Sequence, residues 1–323
     1  MTSYSTFNFP GFVPGGRNLL TGIRRKRSNL YITGFYIPSM DADTVSFLYK
    51  GNVNYLNAGG YYILNYPGSK ATNLYGPAIL DDCKVRVVGN YTKNNTNGLF
   101  GCMYTGKLDG TGDWLTITPS SDALNCICHS NMGNLVVGNY DTRLINGKAF
   151  IYDIKKDSYT EIIKDNAKTI TAYGIWQNNG NGNSSCDNDH YTICGGYSPI
   201  VGAETDIGYI VDYNRKTKKF SNWTEYHYAN DNASTVTHFD GITEAENGYN
   251  LTGVAVANGE EIGFFVNVQR KSGKAFKPNP DWVQVSYPGA LTTTGNSVVN
   301  DIVIGVYTLP DDESVYGYIA HVK

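Results

Sequence analysis

Apolar residues along this chain come in short runs separated by polar turns, and no stretch sustains the 3.6-residue period of a helix. Runs of this kind, rich in Val, Ile, Tyr and Phe and bounded by Gly, Asn, Asp and Pro, predict strands. One run recurs. It reads Tyr31-Ile32-Thr33-Gly34-Phe35-Tyr36, then Val87-Val88-Gly89-Asn90-Tyr91, Val136-Val137-Gly138-Asn139-Tyr140 and Ile193-Cys194-Gly195-Gly196-Tyr197. The later copies are Leu251-Thr252-Gly253-Val254-Ala255 and Val303-Ile304-Gly305-Val306-Tyr307. The repeated glycines, Gly34, Gly89, Gly138, Gly195, Gly253 and Gly305, stand 55, 49, 57, 58 and 52 residues apart.

A second apolar strand follows each copy, as in Val45–Tyr49, Ala149–Tyr152 and Gly263–Val266, and a third opens on an aromatic: Tyr61, Trp114, Tyr159, Trp223 and Trp282. The last unit reaches Lys323 without its third strand. The segment Tyr4-Ser5-Thr6-Phe7-Asn8-Phe9-Pro10-Gly11 aligns with Tyr61-Tyr62-Ile63-Leu64-Asn65-Tyr66-Pro67-Gly68 and supplies it. Joining the ends gives a sixth spacing of (323 − 305) + 34 = 52, and 323/6 is a mean period of about 54. The expectation is an all-β fold: a six-bladed β-propeller of four-stranded blades, residues 1–323 as one domain, with the N-terminal strand closing the last blade.

The unit Val136-Val137-Gly138-Asn139-Tyr140 with Gly147-Lys148-Ala149-Phe150-Ile151-Tyr152 resembles the HAF-type β-propeller repeat, found mainly in bacterial surface and extracellular proteins. The resemblance extends loosely over all six units and is strongest in the Val-Gly-x-Tyr strand. The His-Ala-Phe element is mostly missing; Lys148-Ala149-Phe150 comes nearest. It implies the propeller fold and carries over no catalytic residue.

Composition narrows the partners. With 26 Lys+Arg against 29 Asp+Glu the net charge is −3, without the basic surplus of a nucleic-acid binder. Hydrophobic residues at 41% are too many for a disordered chain, and no apolar run is long enough for a transmembrane helix. The start, Met1-Thr2-Ser3-Tyr4-Ser5-Thr6-Phe7, has no basic segment leading into an apolar core, so a cytoplasmic protein is expected unless a leader has been removed. Cys83, Cys102, Cys126, Cys128, Cys186 and Cys194 read mainly as free thiols, with Cys186–Cys194 the pair to test for a bridge. Cys126-x-Cys128-His129 is not a metal set, because alternation puts His129 opposite the cysteines. No metal or cofactor is expected; an oxygen-rich loop around Asp187, Asn188 and Asp189 reads as an insertion between two strands.

The candidate chemistry lies on the first strand of each unit, the one that would line a central channel. Where the glycine strands repeat, these strands diverge: Thr21, Tyr75, Asn125, Tyr173, His238 with Asp240, and Asn296. A multivalent lectin would repeat its contacts from blade to blade, so divergence favours one asymmetric site. His238 and Asp240, two apart on a strand, share a face and form a candidate acid–base pair, with Tyr173 as hydrogen-bond or proton donor. Tyr75, Asn125, Thr21, Arg24, Asn296 and Trp176 are candidate substrate contacts, Arg24 for an anion. The tract Arg24-Arg25-Lys26-Arg27 also reads as a solvated hairpin tip. The pattern points to a small-molecule enzyme of lyase, isomerase, cyclase or hydrolase type, monomeric or a small homo-oligomer. The alternative is a carbohydrate- or protein-binding propeller without catalysis.

Overall fold

A computed structural model describes residues 2–39, 42–93, 98–178, 189–200, 207–231, 236–270 and 275–323. Among them there is no α-helix, only a single 3-10 turn at Tyr228–Asn230. The strands follow one another as antiparallel meanders. The first is β2 (Arg17–Lys26), β3 (Asn29–Ile37), β4 (Val45–Asn52) and β5 (Tyr55–Ile63), after a short β1 (Ser3–Thr6). Next come β6 (Ser69–Ile79), β7 (Lys84–Lys93), β8 (Leu99–Lys107) and β9 (Gly112–Ile117), then β10 (Asn125–Met132), β11 (Leu135–Asp141), β12 (Lys148–Asp153) and β13 (Ser158–Ile162). These two meanders are joined into one sheet by a single parallel bridge, Asn125 to Leu99.

In the following sheet the inner strand is split into β14 (Thr169–Ile170) and β15 (Gly174–Gln177), ahead of β16 (His190–Ser198), β17 (Ile207–Asn214) and β18 (Lys219–Tyr226). Another meander is β19 (Val236–Ala245), β20 (Gly248–Ala257), β21 (Glu260–Gln269) and β22 (Trp282–Val285). The last sheet has a split inner strand, β23 (Thr292–Thr293) and β24 (Ser297–Val299), then β25 (Ile302–Thr308) and β26 (Tyr316–His321). Its outer edge is covered by β1, antiparallel to β26 with Tyr4 opposite Ala320. Among the described residues no sheet closes on itself.

The core lies between successive sheets. Leu135, Val137 and Ile151 pack with Ile175, Ile193 and Tyr209, and Cys194 and Ile210 with Phe239, Leu251 and Phe264. Leu20, Ile23 and Phe47 of the first meander pack with Val299, Ile304 and Ile319 of the last. Each such fully buried side chain contributes about 1.5–3 kcal/mol by leaving water.

The repeated glycines have one steric cause. A Cβ on Gly34, Gly89, Gly138, Gly195, Gly253 or Gly305 would collide with an inner-strand carbonyl: that of Leu19, Asn73, Ile127, Thr171, His238 or Thr294 respectively. Only a residue without a side chain lets the inner strand lie this close to its neighbour.

The inner strand that carries Tyr173 is interrupted at residues 171–173. The basic tract expected as a solvated tip divides: β2 carries through it, and alternation turns Arg24 inward to 7% exposure while Arg25 and Arg27 stay exposed. Cys194 is a buried free thiol in β16; Cys186, Asp187 and Asn188 lie outside the described residues. No described helix is long and apolar enough to cross a membrane.

Candidate functional site

Each inner strand is irregular at one equivalent point. The pairing register slips between Leu20 and Gly22, between Leu74 and Pro77, between Cys128 and Ser130, and between Phe239 and Gly241. In the two split strands the same point falls in the gaps, residues 171–173 and 294–296. A bulge of this kind bends a strand and re-aims a side chain. The residues so placed are Thr21, Tyr75, His129, Tyr173, Asp240 and Asn296. Each is half-buried between two buried neighbours, and each is followed by Gly or Ser. The small follower is required because the adjacent inner strand touches there: a Cβ on Gly22 would meet the Tyr75 carbonyl at 2.8 Å, and one on Gly76 the His129 carbonyl at 2.8 Å.

Aromatic and ionisable groups gather on one side of this set. The His129 ring lies 5.1 Å from Tyr75 and 3.6 Å from Tyr173, edge to face, and Tyr173 lies 4.3 Å from His238. His238 Nδ1 is 2.6 Å from Asp240 Oδ1, and its Nε2 is 2.7 Å from the Thr171 hydroxyl. The Thr171 hydroxyl is also within reach of the Gly196 carbonyl at 3.2 Å. His129 Nε2 is 2.6 Å from Asn139 Oδ1, an acceptor, so this nitrogen carries the proton and Nδ1 is the ring's lone-pair position.

Electrostatics assign the groups different roles. Burial, reinforced by the nearby positive end of His238, holds His129 well below its usual value of 6.5, so it is neutral at neutral pH. Burial raises the Asp240 carboxyl, and the His238 contact pulls it back down. Burial, then the Asp240 charge, pushes the Tyr173 phenol well up, and Tyr75 is pushed up to about 12 by burial against an opposing hydrogen bond from Asn90. Both phenols therefore act as neutral hydrogen-bonding groups rather than as bases. The Tyr173 hydroxyl has no hydrogen-bond partner among the described residues.

Side-chain amides and a hydroxyl stitch the inner strands together. Thr21 donates to the Leu74 carbonyl at 2.6 Å, Asn296 Nδ2 to the Leu20 carbonyl at 2.7 Å, and Asn131 Nδ2 to the Gly76 carbonyl at 2.8 Å. Asn125 sits apart, at the start of β10, where its amide binds Asp141 at 3.1 Å. Arg24 and Trp176 come together one step further along their strands, with the guanidinium 5.7 Å from the indole ring.

Sequence reasoning chose Asn125 for the third inner strand and passed over His129. The signal was available: His129 is followed by a small residue, as Thr21, Tyr75, Tyr173 and Asp240 are by glycine, and it lies on the strand face opposite the core-packed cysteines.

No protein-family model and no curated protein matches the chain. Among solved structures it is similar to a subtype N11 neuraminidase-like protein of A/flat-faced bat/Peru/033/2010 (H18N11), at 9% identity over 99% of this chain and 93% of that one, TM-score 0.50. Others include the β-propeller domain of the Trilobed protease from Pyrococcus furiosus, at 10% identity over 91% and 93%, TM-score 0.41. A structure described as a glycoside hydrolase aligns at 8% identity over 87% and 91%, TM-score 0.42. Likeness at this identity is one of fold: the chain is all-β and its structural neighbours are β-propellers. The HAF-type resemblance is supported as far as that fold and no further.

Proposed function

We propose that the chain is a six-bladed propeller enzyme that holds one small, hydroxyl-rich molecule in its central channel and performs acid–base chemistry on it with its own side chains. Support for six blades comes from the inner strands, which touch in the order β2, β6, β10, β15, β19, β24 and back to β2. It also comes from two matched stacks. Tyr66 lies flat on Tyr91 at 3.7 Å with Thr116 bonded to both hydroxyls, and Tyr287 lies flat on Tyr307 at 3.7 Å with Thr6 bonded to both. Thr116 belongs to an outermost strand, β9, so β1 takes the same part in the last sheet.

The observation that carries the functional reading is the variety of the bulge residues. A purely structural ring would repeat one solution; this one combines tyrosines, a histidine and a carboxylate with strand-stitching polar groups. Aromatic planes beside hydrogen-bonding groups suit a sugar-like ligand. Asp240 fixes the His238 ring through Nδ1, leaving Nε2 to exchange the proton. A ligand hydroxyl replacing Thr171 at Nε2 would give up its proton to His238, while the neutral Tyr173 hydroxyl donates to another ligand oxygen.

The test is to incubate the protein with mono- and disaccharides, following turnover by NMR and binding by calorimetry. Turnover should fall by about 100-fold or more in His238→Gln, the scale of lost general acid–base catalysis, with binding largely kept. Binding without turnover in the unsubstituted protein would remove the enzyme reading. It would favour a non-catalytic binding propeller, which has its own support in that the Thr171 hydroxyl already occupies His238 Nε2.

A further inference from the structure

Among the described residues, Arg24 is the one member of the candidate site whose charge no carboxylate balances. The residue is buried, at 7% exposure. Nη1 donates to the Ile23 carbonyl at 3.0 Å, and Nη2 to the Ser130 hydroxyl at 3.2 Å and the Ile175 carbonyl at 3.4 Å. Nε has no partner. Among the described residues no carboxylate forms an ion pair with Arg24. Asp240, the carboxylate of the bulge set, bonds to His238 instead. Arg215, with the same 7% exposure, is by contrast paired: it meets Asp153 at 2.8 Å and Asp189 at 3.3 Å. Burying an unpaired cation is costly, so the missing counter-charge points to a partner from outside the chain.

Geometry says where that counter-charge belongs. Arg24 projects from β2, whose inner-strand neighbours are β6 and β24. Its Nη2 nevertheless reaches Ser130 on β10 and Ile175 on β15. The side chain therefore crosses the space between the inner strands. Ser130 directly follows His129 and Ile175 stands two after Tyr173, so the guanidinium lies one step beyond these rings, as a floor beneath them. The Trp176 indole beside it has a buried Nε1–H that also lacks an acceptor among the described residues. Two neighbouring buried donors, Arg24 Nε and Trp176 Nε1, are thus both short of an acceptor.

We propose that the molecule held in the channel carries a carboxylate, received at this floor by Arg24 with help from the Trp176 indole, and is an acidic sugar of hexuronate size rather than a neutral one. The proposal rests on the channel reading given above and narrows it. The planar guanidinium and a carboxylate form charge-assisted hydrogen bonds of the strongest kind, while the ring hydroxyls of the sugar meet Tyr173, Tyr75 and His129.

Calorimetry decides it, with glucuronate and galacturonate set against glucose and galactose. The unsubstituted protein should bind at least one acid tenfold or more tightly than its neutral partner, and Arg24→Met should abolish that difference. Should Arg24→Met fail to fold by circular dichroism, the comparison of acids with neutral sugars on the unsubstituted protein stands by itself. Equal affinity for acid and neutral partners, or a preference that survives in Arg24→Met, overturns the carboxylate floor and leaves the channel reading in place. Binding of neither acid overturns it as well. If none of the four sugars binds, the channel reading falls with it.

Discussion

His129 and His238 are the same residue type, a few ångströms either side of Tyr173, yet their surroundings give them opposite tasks. His129 faces an amide oxygen and is kept neutral by burial; His238 faces a carboxylate that can balance a proton. The first has a consequence for stability. A histidine held below 6.5 in the folded chain binds fewer protons than the unfolded one, so folding stability is lost as pH falls from about 6.5 toward the depressed value. The slope is about 1.4 kcal/mol per pH unit for one proton. Urea denaturation at pH 5, 6 and 7 should show this loss, and His129→Gln should flatten it. Tyr173→Phe removes only a hydroxyl without a protein partner; its melting temperature should stay within about 2 °C while sugar affinity drops several-fold. Thr21, Tyr75, Tyr173, Asp240 and Asn296 were legible because they break a repeat. His129 was not, because a lone histidine directly after a Cys-x-Cys pair raises the question of metal first. The orphaned state of Arg24 could not be read at all, since four consecutive basic residues in a sequence are a turn until strand alternation divides them.

At the scale of the strand, the glycine repeat and the bulge are two halves of one device. The glycine opposes the residue just before the bulge, as Gly34 opposes Leu20, Gly89 opposes Leu74 and Gly253 opposes Phe239. The close approach it allows leaves the following residue out of register and turned toward the site. The repeated positions are thus scaffold for the variable ones, and the pattern of glycines marks where the bulges fall. Gly253→Ala forces a methyl group into the His238 carbonyl and should destabilise the protein by about 2–4 kcal/mol in urea denaturation. It should also weaken sugar binding by shifting His238. Gly60→Ala, whose new methyl would meet only the Tyr62 side chain at 3.3 Å or beyond, should change stability by less than about 1 kcal/mol.

At the scale of the molecule, the first and last sheets share a core through Phe7, Leu20, Ile304 and Ile319, and β1 completes the last sheet. The match of Tyr4–Gly11 to Tyr61–Gly68 made this pairing legible in the sequence, because a strand missing at one end and a spare one at the other fit together when the ends meet. Removing residues 1–6 takes away the β1 ladder and the Thr6 hydroxyl that joins Tyr287 to Tyr307. Differential scanning calorimetry should then show a melting temperature lower by several degrees, with the exposed edge of β26 promoting aggregation.

The pairing of β1 with β26 also sets a clock. Tyr4 and its partner Ala320 are 316 positions apart, so at a synthesis rate of about 5–20 residues per second β1 leaves the ribosome roughly 15 to 60 seconds before the strand it will join. During that interval the intervening sheets can form in turn, but Asn296 does not reach Leu20 until the last sheet emerges. The nascent chain thus carries β1 as an unpaired strand through most of its synthesis. A second nascent chain on the same messenger would offer β1 an identical partner, which makes exchange of this strand between neighbours on a polysome the error that the fold most needs to avoid.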